Sequence, residues 1–271
     1  MMAARRWRPS PFLQASAWWH AAALAGLALA PAAWPWVLAA LAVNHALITA
    51  AGLLPRTRWL GPNITRLPAA PTGQGRVALT IDDGPDPAVT PRMLDVLDEH
   101  GMVASFFLIG RRAERYPALC RAIVERGHRV ENHGYSHSHA LSLMGPAALR
   151  ADIARAQAVL ADLSGQAPRF FRPTAGLRNP FLEPVLCRLG LQLASWSRRG
   201  FDTRQGDPAV VLRRLCRDLG DGDILLLHDG HAARTVTGEA VSLAILPSLA
   251  QCLRERRLGT TTLHDAVHDR P

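Results

Sequence analysis

From Pro9 to Pro55 the chain runs for 47 residues without one Asp, Glu, Lys or Arg. A run this apolar has few fates. A single membrane-spanning helix takes about 20 residues, so this stretch holds two if a turn divides it. Pro31-Ala-Ala-Trp-Pro35 supplies that turn. The expected helices cover 12–30 and 35–54. Trp7 and Trp59 stand at the outer ends and Trp34 and Trp36 at the turn, where aromatic belts form at membrane–water boundaries. Asn44 and His45 fall mid-helix and are expected to find polar partners inside the helix pair.

Charge orients the anchor. Every basic residue is Arg, the net charge is +9, and no acidic residue precedes Asp82. Arg5, Arg6, Arg8, Arg56, Arg58, Arg66 and Arg76 therefore give residues 1–81 a charge of +7 and leave +2 for the rest. The excess flanks an apolar segment and forms no stripe on a folded surface, which excludes nucleic acid as the expected partner. Arg clusters at both ends of a hairpin place both ends in the cytoplasm by the positive-inside rule. Two other readings stay open: one span with the globular part outside, and a signal peptide cut after Ala30, although Pro31 follows. The expected organisation is an anchor over 1–60, a Pro/Gly-rich linker over 61–75 and one globular domain over 76–271. The four Cys are scattered and are expected as buried thiols in a reducing compartment.

From Arg76 onward, β-like runs alternate with helical ones. Strands are expected at 77–81, 103–109, 128–132, 192–196, 223–228 and 260–263. Helices are expected from Thr90 to about Gly101 and over 113–126, 146–163, 181–189, 208–219 and 240–257. Leu149, Ile153, Ala156 and Leu160 share one helix face. Such alternation argues for an α/β fold with a parallel sheet inside a layer of helices.

Two segments carry chemistry. Thr80-Ile-Asp-Asp-Gly-Pro85 closes the first strand, and the Gly-Pro turn lets Asp82 and Asp83 face one site. Alone, such a segment is usually only a turn. Asn132-His-Gly-Tyr-Ser-His137 spaces His133 and His137 four apart, which is expected to put both imidazoles on one side of a helical turn. Two His and one carboxylate, with an open position for water, form a common catalytic zinc set.

These segments are similar to the first two motifs of the NodB-type polysaccharide deacetylases, carbohydrate esterase family 4, which read TFDDGP and H-[ST]-x-x-[HS]. Three more follow in order. Phe171-Arg-Pro-Thr-Ala-Gly176 matches Arg-Pro-Pro-Tyr-Gly with Ala175 for Tyr. Trp196-Ser-Arg-Arg-Gly-Phe-Asp202 matches D-x-x-D-W with Arg199 for the first Asp and Thr203 for the Trp. Leu225-Leu-Leu-His228 matches L-x-L-H. Gly134 also departs from the usual small hydroxyl residue. The family fold is a distorted (β/α) barrel.

The resemblance implies a metal-dependent hydrolase that removes an N-acyl group, foremost acetyl, from an amino sugar. Asp83, His133 and His137 are the implied ligands of a divalent ion, Zn foremost, with Co, Mn or Ni as options. Asp82 is the implied general base, held by Arg172. His228 is the implied acid for the leaving amine, oriented by Asp202; an Asp202–Arg172 pair is the alternative. The backbone N–H near Ala175 would stabilise the oxyanion, and Leu226 would line the acyl slot. His139 and His231 are expected as bystanders, with a spare metal ligand as the alternative for either. Arg178, Arg198 and Arg199 are solvated by default but suit an anionic substrate group such as phosphate. The substrate is expected to be polymeric or lipid-linked, at a bacterial inner membrane, with the catalytic domain cytoplasmic and a periplasmic one as the alternative. No protein partner is evident. The rival functions are deformylation or O-deacetylation on the same fold, and sugar binding without catalysis.

Overall fold

The computed structural model describes residues 5–69 and 75–268; residues 70–74 of the expected linker lie outside the described residues. Two helices stand apart at the start: α1 (Pro11–Leu29) and α2 (Trp34–Leu53), joined by a 3-10 turn at Pro31–Ala33. Ser10 caps α1 by accepting the Leu13 N–H. The second helix with its turn, Pro31–Leu53, is long and apolar enough to cross a membrane. The pair is built inside out. Trp18, Trp36 and Leu38 point outward and exposed, whereas polar groups meet between the helices. There the Asn44 amide donates to Ser16 Oγ at 2.8 Å, and the ring nitrogens of His20 and His45 approach to 3.3 Å.

The rest of the chain builds one sheet: β1 (Gly75–Asp82), β2 (Ser105–Leu108), β3 (Arg129–Asn132), β4 (Phe170–Phe171), β5 (Gln192–Leu193), β6 (Arg198–Arg199), β7 (Ile224–His228) and β8 (Leu258–Thr261). The order is β5-β4-β3-β2-β1-β7-β6, with β8 on the first half of β1, and every pairing between these strands is parallel. The helices α3 (Thr90–Glu99), α4 (Gly110–Arg115), α5 (Pro117–Glu125), α6 (Pro146–Ser164), α7 (Leu182–Leu189), α8 (Pro208–Cys216), α9 (Val241–Ala244) and α10 (Leu246–Glu255) follow the strands. The last, α11 (Leu263–His268), packs Leu263 and Ala266 against the interior residues Ala78 and Ile224. This is the distorted (β/α) barrel that the alternation and the resemblance imply. Two helices expected as continuous are each split, because Pro117 and Pro247 sit in the first turn of a new helix. The two-residue strands β4 and β6 are too short to show a period and were not expected.

Strand alternation sorts the core and aims the site. Val77, Leu79 and Ile81 of β1, with Leu225 and Leu227 of β7, join the large cluster beneath the helices. Their neighbours Ala78, Ile224 and Leu226 join a smaller interior cluster with Phe107 and Trp196. Period two therefore carries the inward rows Ala78–Thr80–Asp82 and Ile224–Leu226–His228 to the C-terminal strand ends. Register places Asp82 beside His228.

Residues 61–69 pack on the barrel. Ile64 bridges Ala194 in parallel, Leu67 is buried, and its N–H reaches Gly222 O at 2.8 Å. The base of the helix pair is fastened to the same side. Arg178 donates its N–H to Gly52 O at 3.0 Å and a guanidinium N–H to Thr57 Oγ1 at 2.7 Å. A Cβ at Gly52 would lie 2.3 Å from the Arg178 carbonyl oxygen, so only glycine fits this approach. Arg178 is thus a fastening for the helices and not a solvated cation. The cysteines differ from expectation too. Cys120 and Cys187 are buried thiols, but Cys216 at the end of α8 and Cys252 on α10 are paired as a disulfide. Their separation of 36 residues gave no motif to signal the pairing.

Candidate metal-dependent hydrolase site

Asp82 ends β1 with its side chain inward. Asp83 leaves the strand at once, with φ of 77°, so its carboxylate joins Asp82's side and not the opposite face. Both are buried.

The second strip follows β3. Asn132 anchors it, donating to Gln157 Oε1 at 2.9 Å and Ile153 O at 3.1 Å. Asp152 of α6 then receives the N–H groups of Tyr135 at 2.9 Å and Ser136 at 3.0 Å. This explains the departure at Gly134: its φ is 78°, and a Cβ there would lie 2.9 Å from Asp152 Oδ2. The loop delivers His133 Nε2 to 3.2 Å and His137 Nε2 to 2.9 Å from Asp83 Oδ1. His133 donates from Nδ1 to the Arg172 carbonyl at 2.7 Å, which fixes the ring and turns Nε2 toward Asp83.

One donor atom from each of Asp83, His133 and His137 lies within 4.8 Å of the others. A carboxylate and two oriented imidazoles fit a divalent cation of the zinc type. Burial alone would raise the Asp83 pKa. Hydrogen bonds from His133, His137 and His231 outweigh it and hold the group far below the usual carboxylate range.

Two buried pairs flank this triad. Arg172, fully buried, donates to Asp82 Oδ1 at 2.6 Å, Thr80 Oγ1 at 2.9 Å, Ala194 O at 3.0 Å and Ser195 O at 2.9 Å. The other Asp82 oxygen is 3.9 Å from His133 Nε2. On the opposite side, His228 Nδ1 lies 2.9 Å from Asp202 Oδ1, and the His228 N–H reaches Oδ2 at 2.7 Å. The sequence left two partners open for Asp202, and the geometry gives it to His228. Burial would lower the His228 pKa, but the charge and hydrogen bond of Asp202 raise it.

A cavity of about 240 Å³ collects Asp82, Asp83, His133, His137, Ala175, Leu226 and His228 of the expected residues. Arg172 and Asp202 lie behind its wall, each through its partner. One participant was read mainly as a bystander and another was missed. His231, for which a spare-ligand role was the alternative, places Nδ1 2.9 Å from Asp83 Oδ2 and stacks on His137. Asp229 accepts the Thr90 hydroxyl at 2.5 Å beneath the 82–86 turn, and burial pushes its carboxyl up to about 7. Nothing local in the sequence pairs residues 139 positions apart.

Acidic and imidazole groups at the C-terminal ends of parallel strands, around a preorganised cation site, define a metal-dependent hydrolase. Comparison with known proteins gives the family. A polysaccharide deacetylase family model matches residues 69–194. A peptidoglycan-N-acetylglucosamine deacetylase of Bacillus cereus is 30% identical over 205 residues, covering 70% of this chain and 73% of that protein. A chitooligosaccharide deacetylase of Sinorhizobium fredii is 36% identical over 166 residues, covering 60% and 76%. A family 4 carbohydrate esterase from Streptomyces lividans, solved with acetate, superposes with a TM-score of 0.63 at 33% identity, covering 69% of this chain and 91% of that one. The chain belongs to the polysaccharide deacetylase family. It is a metal-dependent hydrolase of the N-acyl amide bond of amino sugars.

Proposed function

We propose that the protein removes acetyl groups from N-acetylated amino sugars in a glycan, polymeric or lipid-linked, from a domain tethered to a membrane. One observation carries the reading: Asp83, His133 and His137 converge on one point while Asp82, held by Arg172, keeps an oxygen toward it. We assign the cation, zinc foremost, to the first three residues; when bound there it supplies Lewis acidity to a water and to the acyl carbonyl. Asp82 Oδ2 takes the water's proton, because Arg172 engages Oδ1 and fixes the carboxylate plane. His228 gives a proton to the departing amine. Asp202 holds Nδ1–H, so Nε2 is the atom that faces the substrate. The backbone N–H at Ala175 serves the developing oxyanion, and Leu226 lines the acyl slot.

Acetate release by the full-length, zinc-loaded protein from N-acetylglucosamine oligomers tests this reading. Steady release is expected. Absence of acetate, with metal bound, from every N-acylated amino sugar offered would overturn it and favour a sugar-binding role.

The anchor is proposed as a two-helix hairpin over residues 1–60, with the barrel on the cytoplasmic side because Arg flanks both ends. The Cys216–Cys252 pair favours the other side, since disulfides persist in oxidising compartments. Alkylation in intact cells separates the two readings: free thiols at both positions support the cytoplasmic side, and a protected pair the periplasmic one.

A further inference from the structure

Next to the catalytic cavity lies a second one of about 520 Å³, lined by Pro55, Arg56, Trp196, Ser197, Arg198, Arg199, Phe201, Arg214 and Arg217. Five of its residues are arginines and none is acidic. Two of the five are occupied: Arg198 by Asp223 at 3.0 Å, and Arg217 by Asp218 at 3.6 Å. Arg56, Arg199 and Arg214 have no carboxylate partner among the described residues. Arg56 and Arg214 reach only the carbonyls of Ser197 at 3.3 Å and Gly200 at 3.4 Å. Arg199 Nε is buried without a partner.

The guanidinium groups of Arg199 and Arg214 are held in place. Arg199 lies over Trp196 at 5.3 Å and over Phe201 at 5.0 Å, and Arg214 lies over Phe201 at 5.6 Å. Stacking on aromatic faces fixes each planar fork while leaving its N–H edges free for an oxyanion. Like charges gathered on a partly buried wall repel one another, and a bound anion removes that cost. Forked, charge-assisted contacts from several Arg suit phosphate oxygens.

Position supplies the rest. Trp196 and Arg199 line both cavities, so a group bound among the arginines borders one bound over Asp82 and Asp83. Pro55 and Arg56 follow directly on α2, so the arginine cavity lies at the base of the apolar helix pair. We propose that this cavity is the subsite for a phosphate or diphosphate ester on the amino sugar, and that the substrate is an N-acetyl amino sugar joined through phosphate to a membrane lipid. The proposal rests on the deacetylase reading of the adjoining cavity and narrows its substrate class.

The test uses the full-length, zinc-loaded protein in zwitterionic detergent. Acetate release is compared for an uncharged N-acetylglucosamine oligomer, N-acetylglucosamine 1-phosphate and polyprenyl-diphosphate-linked N-acetylglucosamine. The expected order of kcat/KM is lipid diphosphate, then sugar phosphate, then neutral oligomer. Arg199→Gln with Arg214→Gln is expected to cut the lipid-diphosphate to neutral-oligomer ratio by about tenfold or more, and Arg254→Gln on α10 to leave that ratio in place. Calorimetry with inorganic pyrophosphate is expected to show one site that the double variant weakens to a similar extent.

Equal kcat/KM for all three substrates, with a ratio indifferent to the double variant, overturns the proposal. Equal kcat/KM for the two phosphate-bearing substrates overturns its lipid part. Loss of binding to phosphatidylglycerol vesicles in the double variant, with the substrate ratio unmoved, assigns the arginines to bulk headgroups and also overturns it. Pyrophosphate binding lost in the double variant, without acetate from any substrate, supports the anion subsite and sinks the deacetylase reading instead.

Discussion

Asp82→Asn is expected to keep its metal and lose about 10²–10⁴-fold in kcat, the usual range for removing a general base. The side chain is nearly isosteric, and its amide oxygen can still accept from Arg172 in place of Asp82 Oδ1, which now sits 2.6 Å from that guanidinium. The donors assigned to the cation are those of Asp83, His133 and His137, so on this reading the site stays whole. What disappears is the basic oxygen 3.9 Å from His133 Nε2. Steady-state acetate release, read together with metal content, checks this. Turnover within tenfold of wild type would remove Asp82 from the role of base.

Arg172→Leu should be the most destabilising single change in the barrel, at about 3–5 kcal/mol. Arg172 is fully buried and spans four acceptors, and its guanidinium carbon stands 4.0 Å from the centre of the Phe107 ring. Removing it strands the Asp82 carboxylate and the buried carbonyls of Ala194 and Ser195 without their Arg172 donors. Arg172→Lys should recover only part of the loss, because one ammonium cannot reach acceptors spread around a planar fork. Denaturant unfolding with an unchanged slope is the measurement. A loss under about 1 kcal/mol for Arg172→Leu would mean that the pair adds little beyond its packing.

Much of this barrel was legible because its rules are local. Period-two rows carry Asp82 and His228 to the strand ends, and the spacing of His133 and His137 brings both rings together, although on an irregular loop with His137 at φ 53° and not on the helical turn expected. What was not legible depends on contacts between distant residues. Asp152 holds the His133 loop from a helix that the sequence marks only as amphipathic, and with the positive φ at Gly134 it explains why glycine replaces a side chain there. Asp229 supports the catalytic turn through Thr90, with no shared motif. Cys216 and Cys252 meet because α8 and α10 pack together. Arg178 read as a surface cation because its acceptor, Thr57, lies outside the barrel at the foot of α2. Arg199 was visible as a departure from the family motif, but its stacking between Trp196 and Phe201 needed the fold.

The account turns on whether three side chains share one cation. Equilibrium dialysis against zinc, followed by elemental analysis, should return one ion per chain for wild type and for Asp82→Asn, and none for a protein carrying Asp83→Ala and His137→Ala. Zinc held as tightly by the double variant as by wild type, or a wild type that binds none, would contradict it.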